Sequence, residues 1–520
     1  MTEKTTTPSR KRRRRSSGMT VLSSPEHLGP EDRHVTSRLI DAYFTLYNSS
    51  YPIIHEKTFR ARVHAGHQLK KAHTPWRVVY HMVLAIGHWL TTTEVEHLQP
   101  GHYAAARSNL SIQMLESGTI ETVQAFLLMG NYLQKRDRTN TGYNFIGLAY
   151  RMALGLGLHR EPPRCEDTLG HERRRQLFWT IYCFESGFNI TTGRPPTMSD
   201  DFIDTRLPLN IDDKVNHPSI LVAALADIIM QGIAPQSAQL AKIADAVYHE
   251  FLLAKTASTK IEYRVAESME RDLNRWRQSL PAYFFAPDCP PWFRAPRAVV
   301  LWKEQNLRIL LWRGSQSLHS YLPTKVKAEK KYVEVAMQSI HDIAAFCVAN
   351  ESSLHHGVIW YATYFLFQAT LVLEANYLTR SNRAEEDSLA WRHSVSKAGA
   401  CLKALEVKSR AAKRCLEMLD RIHGHFQFLP QLDLQLDPSS FQPSNAMQGV
   451  TVEIPTQNGP SSCQAFMELP SENDFAFFGE NQTAFGDDAG DPSLRMLLNE
   501  ASLDFMGNMP LDLLLGDWAS

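Results

Sequence analysis

The chain has 520 residues, 43% hydrophobic and 21% charged, with 55 basic and 55 acidic side chains and so no formal net charge. That length exceeds one hydrophobic core and implies two or three units, and the composition is that of a soluble globular protein rather than a wholly disordered one. The N-terminus is polar and then basic, without the apolar stretch of a secretory signal. Seven scattered cysteines, none in a C-x2-C pair, read as reduced thiols of an intracellular protein.

The zero net charge conceals an asymmetry. Residues 1–40 carry nine Lys/Arg against four acids, whereas residues 431–520 carry fourteen Asp/Glu and a single base, Arg495. A basic head and an acidic tail suggest partners at both ends.

In chain order, residues 1–32 are Thr, Ser, Pro and charge, and disorder is expected through residue 34. Helical periodicity begins near His34: Leu39, Ile40, Tyr43, Phe44 and Tyr47 share one apolar face, interrupted by Pro52. Amphipathic segments recur near 76–93, 102–116, 119–135, 142–158 and 172–190, separated by Gly, Pro, Asn and Thr. The chain is helical again over roughly 215–430. Val265–Leu280 closes at Pro281, Asp288–Pro296 reads as a loop, and helices follow at Trp302–Leu318, 326–350, 357–378, 388–406 and 409–427. Gly357–Leu373 is uncharged over 17 residues, at the short edge of a membrane span. Its Tyr361, Thr363, Tyr364 and Gln368, with no basic cluster at either end, favour a buried core helix. No alternating strand pattern and no fixed-period repeat runs through the sequence. The expected fold is all-α, a large multi-helix regulatory domain over 35–430 between disordered tails, with a linker at 431–465 and an acidic-hydrophobic tail at 466–520.

The central block is the most informative. Gly142–Leu158 places Phe145, Leu148, Ala149, Met152 and Leu156 on one face, and Gly147 and Gly155 are expected to permit close helix approach. His159, Arg160 and Glu161 run into Pro162 and Pro163, which stop the helix. Glu172 and the arginines Arg173, Arg174 and Arg175 then precede Phe178, Trp179 and Tyr182. The block closes on the turn Gly193-Arg194-Pro195 and on Asp200, Asp201 and Asp204. The three arginines are expected to pair with acids on adjacent helices around the Phe178/Trp179 core, and Arg194 to donate hydrogen bonds to carbonyls that hold its loop.

The run GLAYRMALGLGLHRE followed by ERRRQLFWTIYCFESGFNITTGRPPTMSDDFIDTRLP closely resembles the middle homology region of fungal zinc-binuclear-cluster transcription factors. Tyr51–Arg62 (YPIIHEKTFRAR) resembles the opening of that region, and Trp302–Arg313 (WKEQNLRILLWR) resembles a later helix of one subgroup. Together they span about Val35 to Phe428. The resemblance implies a helical domain that gates transcription in response to a small-molecule effector or a partner, often over a metabolic gene set. Glu185-Ser186 and Asn189 stand where the family usually has an Asp-Arg pair and a Ser, so the local ion pair that the Arg would make is missing. The family's DNA-binding module holds two zinc ions with six cysteines within about forty residues, and no cysteine precedes Cys165. Zinc is therefore expected only if a missing N-terminal exon supplies the cluster. Otherwise the protein is a co-regulator that reaches DNA through a partner transcription factor.

The tails carry the remaining signals. Arg10, Lys11, Arg12, Arg13, Arg14 and Arg15 fit a nuclear-import signal read by an import receptor. As a DNA arm they would contact phosphates without reading sequence. In the acidic tail, Phe475, Phe477, Phe478, Phe485, Leu497, Leu498, Phe505, Leu513, Leu514, Leu515 and Trp518 are dispersed among Asp and Glu. Mutual repulsion of the acids keeps such aromatics available to a coactivator or the general transcription machinery.

Catalysis finds no support. The densest histidine pairs, His355-His356 and His423/His425, lack the carboxylate spacing of a zinc site, and there is no nucleophile elbow or phosphate loop. The reading is a nuclear, non-enzymatic transcription regulator that acts as an activator, without resident metal or cofactor and without a membrane span. The reading from a different class is a helical scaffold or ligand-binding protein.

Overall fold

The computed structural model describes residues 30–65, 73–92, 101–136, 138–161, 168–197, 199–208, 233–257, 261–315, 322–379 and 385–433. The basic run Arg10–Arg15, the 434–520 part of the C-terminal region and His423/His425 as side chains lie outside that description. Among the described residues the secondary structure is entirely helical.

Eight helices build the N-terminal half: α1 (Pro30–Tyr43), α2 (Glu56–Ala65), α3 (Pro75–Thr91), α4 (Gly101–Ser108), α5 (Gln113–Ser117), α6 (Ile120–Gln134), α7 (Thr139–Gly155) and α8 (Thr168–Thr192). Seven follow: α9 (Ala234–Thr256), α10 (Tyr263–Ser279), α11 (Pro291–Gly314), α12 (Leu322–Ala349), α13 (His356–Thr379), α14 (Glu385–Leu405) and α15 (Arg410–Asp433).

α1 starts earlier than the expected boundary, with Pro30 at its first position, where the missing N–H has no intrahelical partner to lose. It passes into a π-helical turn, Phe44–Asn48, and the predicted face Leu39, Ile40, Tyr43, Phe44 and Tyr47 is buried. α3 takes Pro75 at its N-terminus and buries residues on every side, His81 among them, as its mainly apolar sequence requires. α6 is capped by the Thr119 hydroxyl, which accepts from the Thr122 amide at 3.2 Å. α7 ends before the prolines. Gly157 takes a φ of +65° and the Leu158 amide returns to the Ala153 carbonyl at 2.9 Å, a left-handed cap that glycine adopts without strain.

Three expectations are corrected. The buried face of α7 is Gly142, Ile146, Ala149, Tyr150 and Ala153, while Leu148 is exposed. Gly147 and Gly155 face open space, and the close approach is instead between Gly130 and Gly142. The segment Asp288–Pro296 is not all loop, because α11 begins at Pro291 and carries Pro296 inside it. The amide bond lost at Pro296 falls in the second turn, where burial of Phe293 and Pro296 anchors the helix.

The buried side chains form two clusters. One packs α1 to α8 around Tyr43, Phe59, Met82, Tyr150, Phe178 and Phe188. The other packs α9 to α15 around Phe284, Phe293, Trp312, Tyr332 and Phe367. α9 serves both, giving Ala238 and Ala241 to the first and Leu240, Val247, Tyr248 and Phe251 to the second. α13 is long and apolar enough to cross a membrane by composition, but 94% of its apolar window is buried within the protein. Neighbouring helices cover it on all sides, as the sequence predicts for a core helix.

Candidate functional site

The central block folds into a clasp. Arg175 pairs with Glu161 after α7 and with Glu172 on its own helix, the latter at 3.2 Å. Arg174 donates to the carbonyls of Leu156 and Gly157 at 3.1 and 3.3 Å, satisfying groups at the C-terminus of α7. The His159 carbonyl accepts from the amides of Asp204 and Thr205, and Trp179 donates its indole N–H to the Arg206 carbonyl at 2.7 Å. Arg160 donates to the His159 ring at 3.2 Å. Arg173 faces a cleft of about 310 Å³ shared with Arg62 and Arg174. Arg175 thus pairs with acids on the loop after α7 and on its own helix, and Arg174 with backbone carbonyls, rather than with acids on adjacent helices. Hydrogen bonding to Arg175 holds the Glu161 carboxyl at about 2.

Arg194 differs from expectation. Gly193 has a φ of +68°, and the Arg194 side chain reaches back to Asn140 Oδ1 at 2.5 Å and lies 4.1 Å over the Tyr143 ring. It ties its turn to the start of α7 through a side-chain amide rather than through backbone carbonyls. Pro195 is exposed.

The departures at 185–189 mark a buried acidic pocket. Glu185 and Asn189 are buried, and Thr197 donates to the Glu185 carboxylate. Burial pushes the Asp245 carboxyl up to about 6, with nearby Asp200 and Glu185 adding to the rise and hydrogen bonds from Ser186 and Tyr182 opposing it. Ser186, where the family usually has Arg, supplies a hydroxyl in place of a cation.

The feature that sequence reasoning missed lies between the two halves. A cavity of about 110 Å³ is walled by α6, α8 and α9 on one side and by α11 and α13 on the other. A recess of about 40 Å³ adjoins it, sharing Ser237, Lys303 and Tyr361. Lys135, the residue that caps α6, is only 7% exposed and donates to Asn131 Oδ1 at 3.0 Å. Its ammonium stands 5.0 Å from the Trp360 ring centre and 5.1 Å from that of Tyr361, with Tyr51 and Phe184 at 5.9 and 6.0 Å. Lys303 of α11 approaches the same Tyr361 ring at 5.3 Å. The Tyr51 and Tyr361 hydroxyls meet at 2.6 Å across 310 residues of chain.

Electrostatics orders this group. Burial pulls the Lys135 ammonium below its usual range, Tyr361 opposes that, and Lys303 reinforces it. Burial alone would raise the Tyr361 phenol, but the charges of Lys135 and Lys303 and the hydrogen bond from Tyr51 outweigh it and bring it below the ordinary value. Tyr51 is correspondingly held high, by burial and then by Tyr361. Asn306, also buried, lines the cavity with its Oδ1 unpartnered. Among the described residues no carboxylate lines either space. The one local signal was weak: a lysine four positions after Asn131 at the end of an apolar helix.

The histidine pair lies beside this junction. His356 contacts the Thr92 carbonyl at 3.1 Å and stacks with Trp89, while His355 lines the recess, where burial pushes it down to about 4. Among the described residues no group of three or more His, Cys, Asp or Glu is placed to hold a metal ion.

Residues 40–278 match the fungal specific transcription factor domain. It is similar to the lactose regulatory protein LAC9 of Kluyveromyces lactis, 28% identical over 384 residues, which are 71% of this chain and 40% of that protein. It is also similar to Activator of stress genes 1 of Saccharomyces cerevisiae, 27% identical over 364 residues, 66% of this chain and 36% of that protein. Activator of stress genes protein 1 of Candida albicans is 33% identical over 119 residues, 22% of this chain and 12% of the relative. The chain thus spans about two fifths of the length of the first two relatives. No solved structure matches it. The matched residues run from within α1 through α9 to all but the last residue of α10, so the cavity lies where they meet α11 and α13.

Proposed function

We propose that this protein is a nuclear transcription regulator of a fungus, and an activator, in which the helical body senses an effector or partner and the tails communicate with the cell. The match of residues 40–278 to the fungal specific transcription factor domain carries this reading. A cavity walled by both helical halves supports the sensing role, because an occupant would contact both and bias their relative packing. Arg10–Arg15 engage an import receptor, and the aromatic and leucine residues from Phe475 to Trp518 engage a coactivator. DNA is reached directly or through a partner transcription factor.

The test is a reporter driven by residues 431–520 fused to an unrelated DNA-binding domain. Transcription is expected to fall severalfold when Phe475, Phe477, Phe478 and Leu513–Leu515 become Ala; unchanged output would remove the activation assignment. Imaging of the tagged full chain adds a second arm. Replacing Arg10–Arg15 with Gln is expected to leave it in the cytoplasm, and a cytoplasmic location already in the unmodified protein would favour a helical scaffold instead.

A further inference from the structure

We infer that the cavity between the two halves binds a small carboxylate with a compact apolar body, its charged end toward Lys303 and Lys135. This rests on the reading of the helical body as a sensing module and names the chemistry that the sensor takes.

Charge comes first. Two ammonium groups stand within 5.1 and 5.3 Å of the centre of one ring, Tyr361, and no carboxylate among the described residues lines the space they face. Like charges brought together in a poorly solvated region repel, and an anion between them relieves that repulsion. The Tyr361 hydroxyl is already engaged by Tyr51 and by Lys135, which leaves the Lys303 ammonium to the anion.

The remaining polar surface fits a carboxylate. Ser237 presents a hydroxyl at the edge shared with the recess, whereas the unpartnered Asn306 Oδ1 is an acceptor and does not serve the anion. A carboxylate is met by an ammonium and a hydroxyl. Among the described residues no arginine lines the cavity, so the guanidinium forks that commonly hold a phosphate are lacking there.

Size and walls limit the rest of the molecule. Leu240, Ala244, Leu307 and Leu310 oppose the rings of Trp360 and Phe365. The volume of about 110 Å³ compares with the ~150 Å³ apolar cavity that holds benzene in an engineered protein. The smaller space admits a short branched chain and not a six-membered ring. The acidic pocket at Glu185 and Asp245 faces other parts of α8 and α9, and those carboxylates do not line the cavity.

The experiment titrates the full chain calorimetrically with isobutyrate, isovalerate and pivalate, each beside its neutral primary amide. At least one acid is expected to bind tenfold or more tightly than its amide, which is the scale of one charge-assisted hydrogen bond. Lys303→Met, which keeps the aliphatic stem of a partly exposed side chain, is expected to abolish that preference, and Lys303→Arg to retain it. Circular dichroism and the thermal midpoint of each variant establish that it is folded. Equal binding of acid and amide would overturn the carboxylate assignment while leaving a sensing cavity in place. Absence of binding by all three acids would overturn it as well. Loss of reporter activity by tail substitution is read separately, so a failure of the regulator reading leaves the binding result interpretable.

Discussion

Gly142 on α7 faces Gly130 on α6 so closely that a β-carbon on Gly142 would stand 2.8 Å from the Gly130 carbonyl oxygen, 3.1 Å from the Gln134 amide and 3.2 Å from the Phe188 ring. Two of those three atoms are backbone and cannot swing away. Gly142→Ala is therefore expected to destabilise the protein by about 2–3 kcal/mol. Gly147, one turn on, meets nothing within 4 Å, and Gly147→Ala should stabilise by roughly 0.5–1 kcal/mol through helix propensity alone. Urea denaturation of both variants decides it, and equal midpoints would show that the α6–α7 contact is not as tight as described.

Arg308 of α11 holds Glu304 on its own helix and Glu270 on α10, while Arg277 reaches Glu304 at 2.7 Å and Trp312 donates to Glu270 at 2.9 Å. Glu304 has no exposed side-chain surface. Arg308→Met is expected to cost about 3–5 kcal/mol, because it leaves a buried carboxylate with less compensation. Adding Glu304→Gln should restore a substantial part of the loss. Additive destabilisation in the double variant, measured by denaturant midpoint, would mean that the network acts through packing and not through charge.

Asp245 predicts a pH dependence. Unfolded, its carboxyl titrates near 3.8; folded, it holds its proton up to about 6. Between those values the folded state binds more protons than the unfolded one, so stability falls as pH rises through the window. Above it the full penalty, on the order of 2–3 kcal/mol, is carried at neutral pH. Asp245→Asn should therefore be more stable than the parent at pH 7.5 and lose that advantage below pH 4. A pH-independent difference would exclude burial of the charge as its cause.

Arg194 and Tyr143 predict a measurable coupling. The guanidinium lies 4.1 Å over the ring and bonds Asn140. Arg194→Lys loses the planar stack and is expected to lower stability by about 0.5–1 kcal/mol. In a double-mutant cycle with Tyr143→Leu the two effects should be non-additive by a similar amount. Strict additivity would place the arginine's role elsewhere.

The all-α class, the extents of α3, α6 and α13 and the buried face Leu39–Tyr47 followed from local pattern, because a helix with one apolar stripe, or with no polar side, announces itself within its own residues. The partners of Arg174 and Arg175 lie 3 to 18 residues away along the chain, yet which of them are acids and which are backbone carbonyls was set by how α7 ends. The face of α7 was not legible. Phe145, Leu148 and Met152 on one side and Ile146, Tyr150 and Ala153 on the other are both apolar stripes, and only contact with Gly130 across α6 selects between them. The cavity was still less accessible. Tyr51, Lys135, Lys303 and Tyr361 come from the opening loop, the end of α6, α11 and α13, with the first and last 310 residues apart. No periodicity relates such positions, since their proximity is a consequence of packing two cores against a shared α9. The sequence by itself determined which segments are helices and which tails carry charge. Tertiary structure alone decided which polar side chains are shut away from water together, because burial depends on what covers a residue and not on what precedes it.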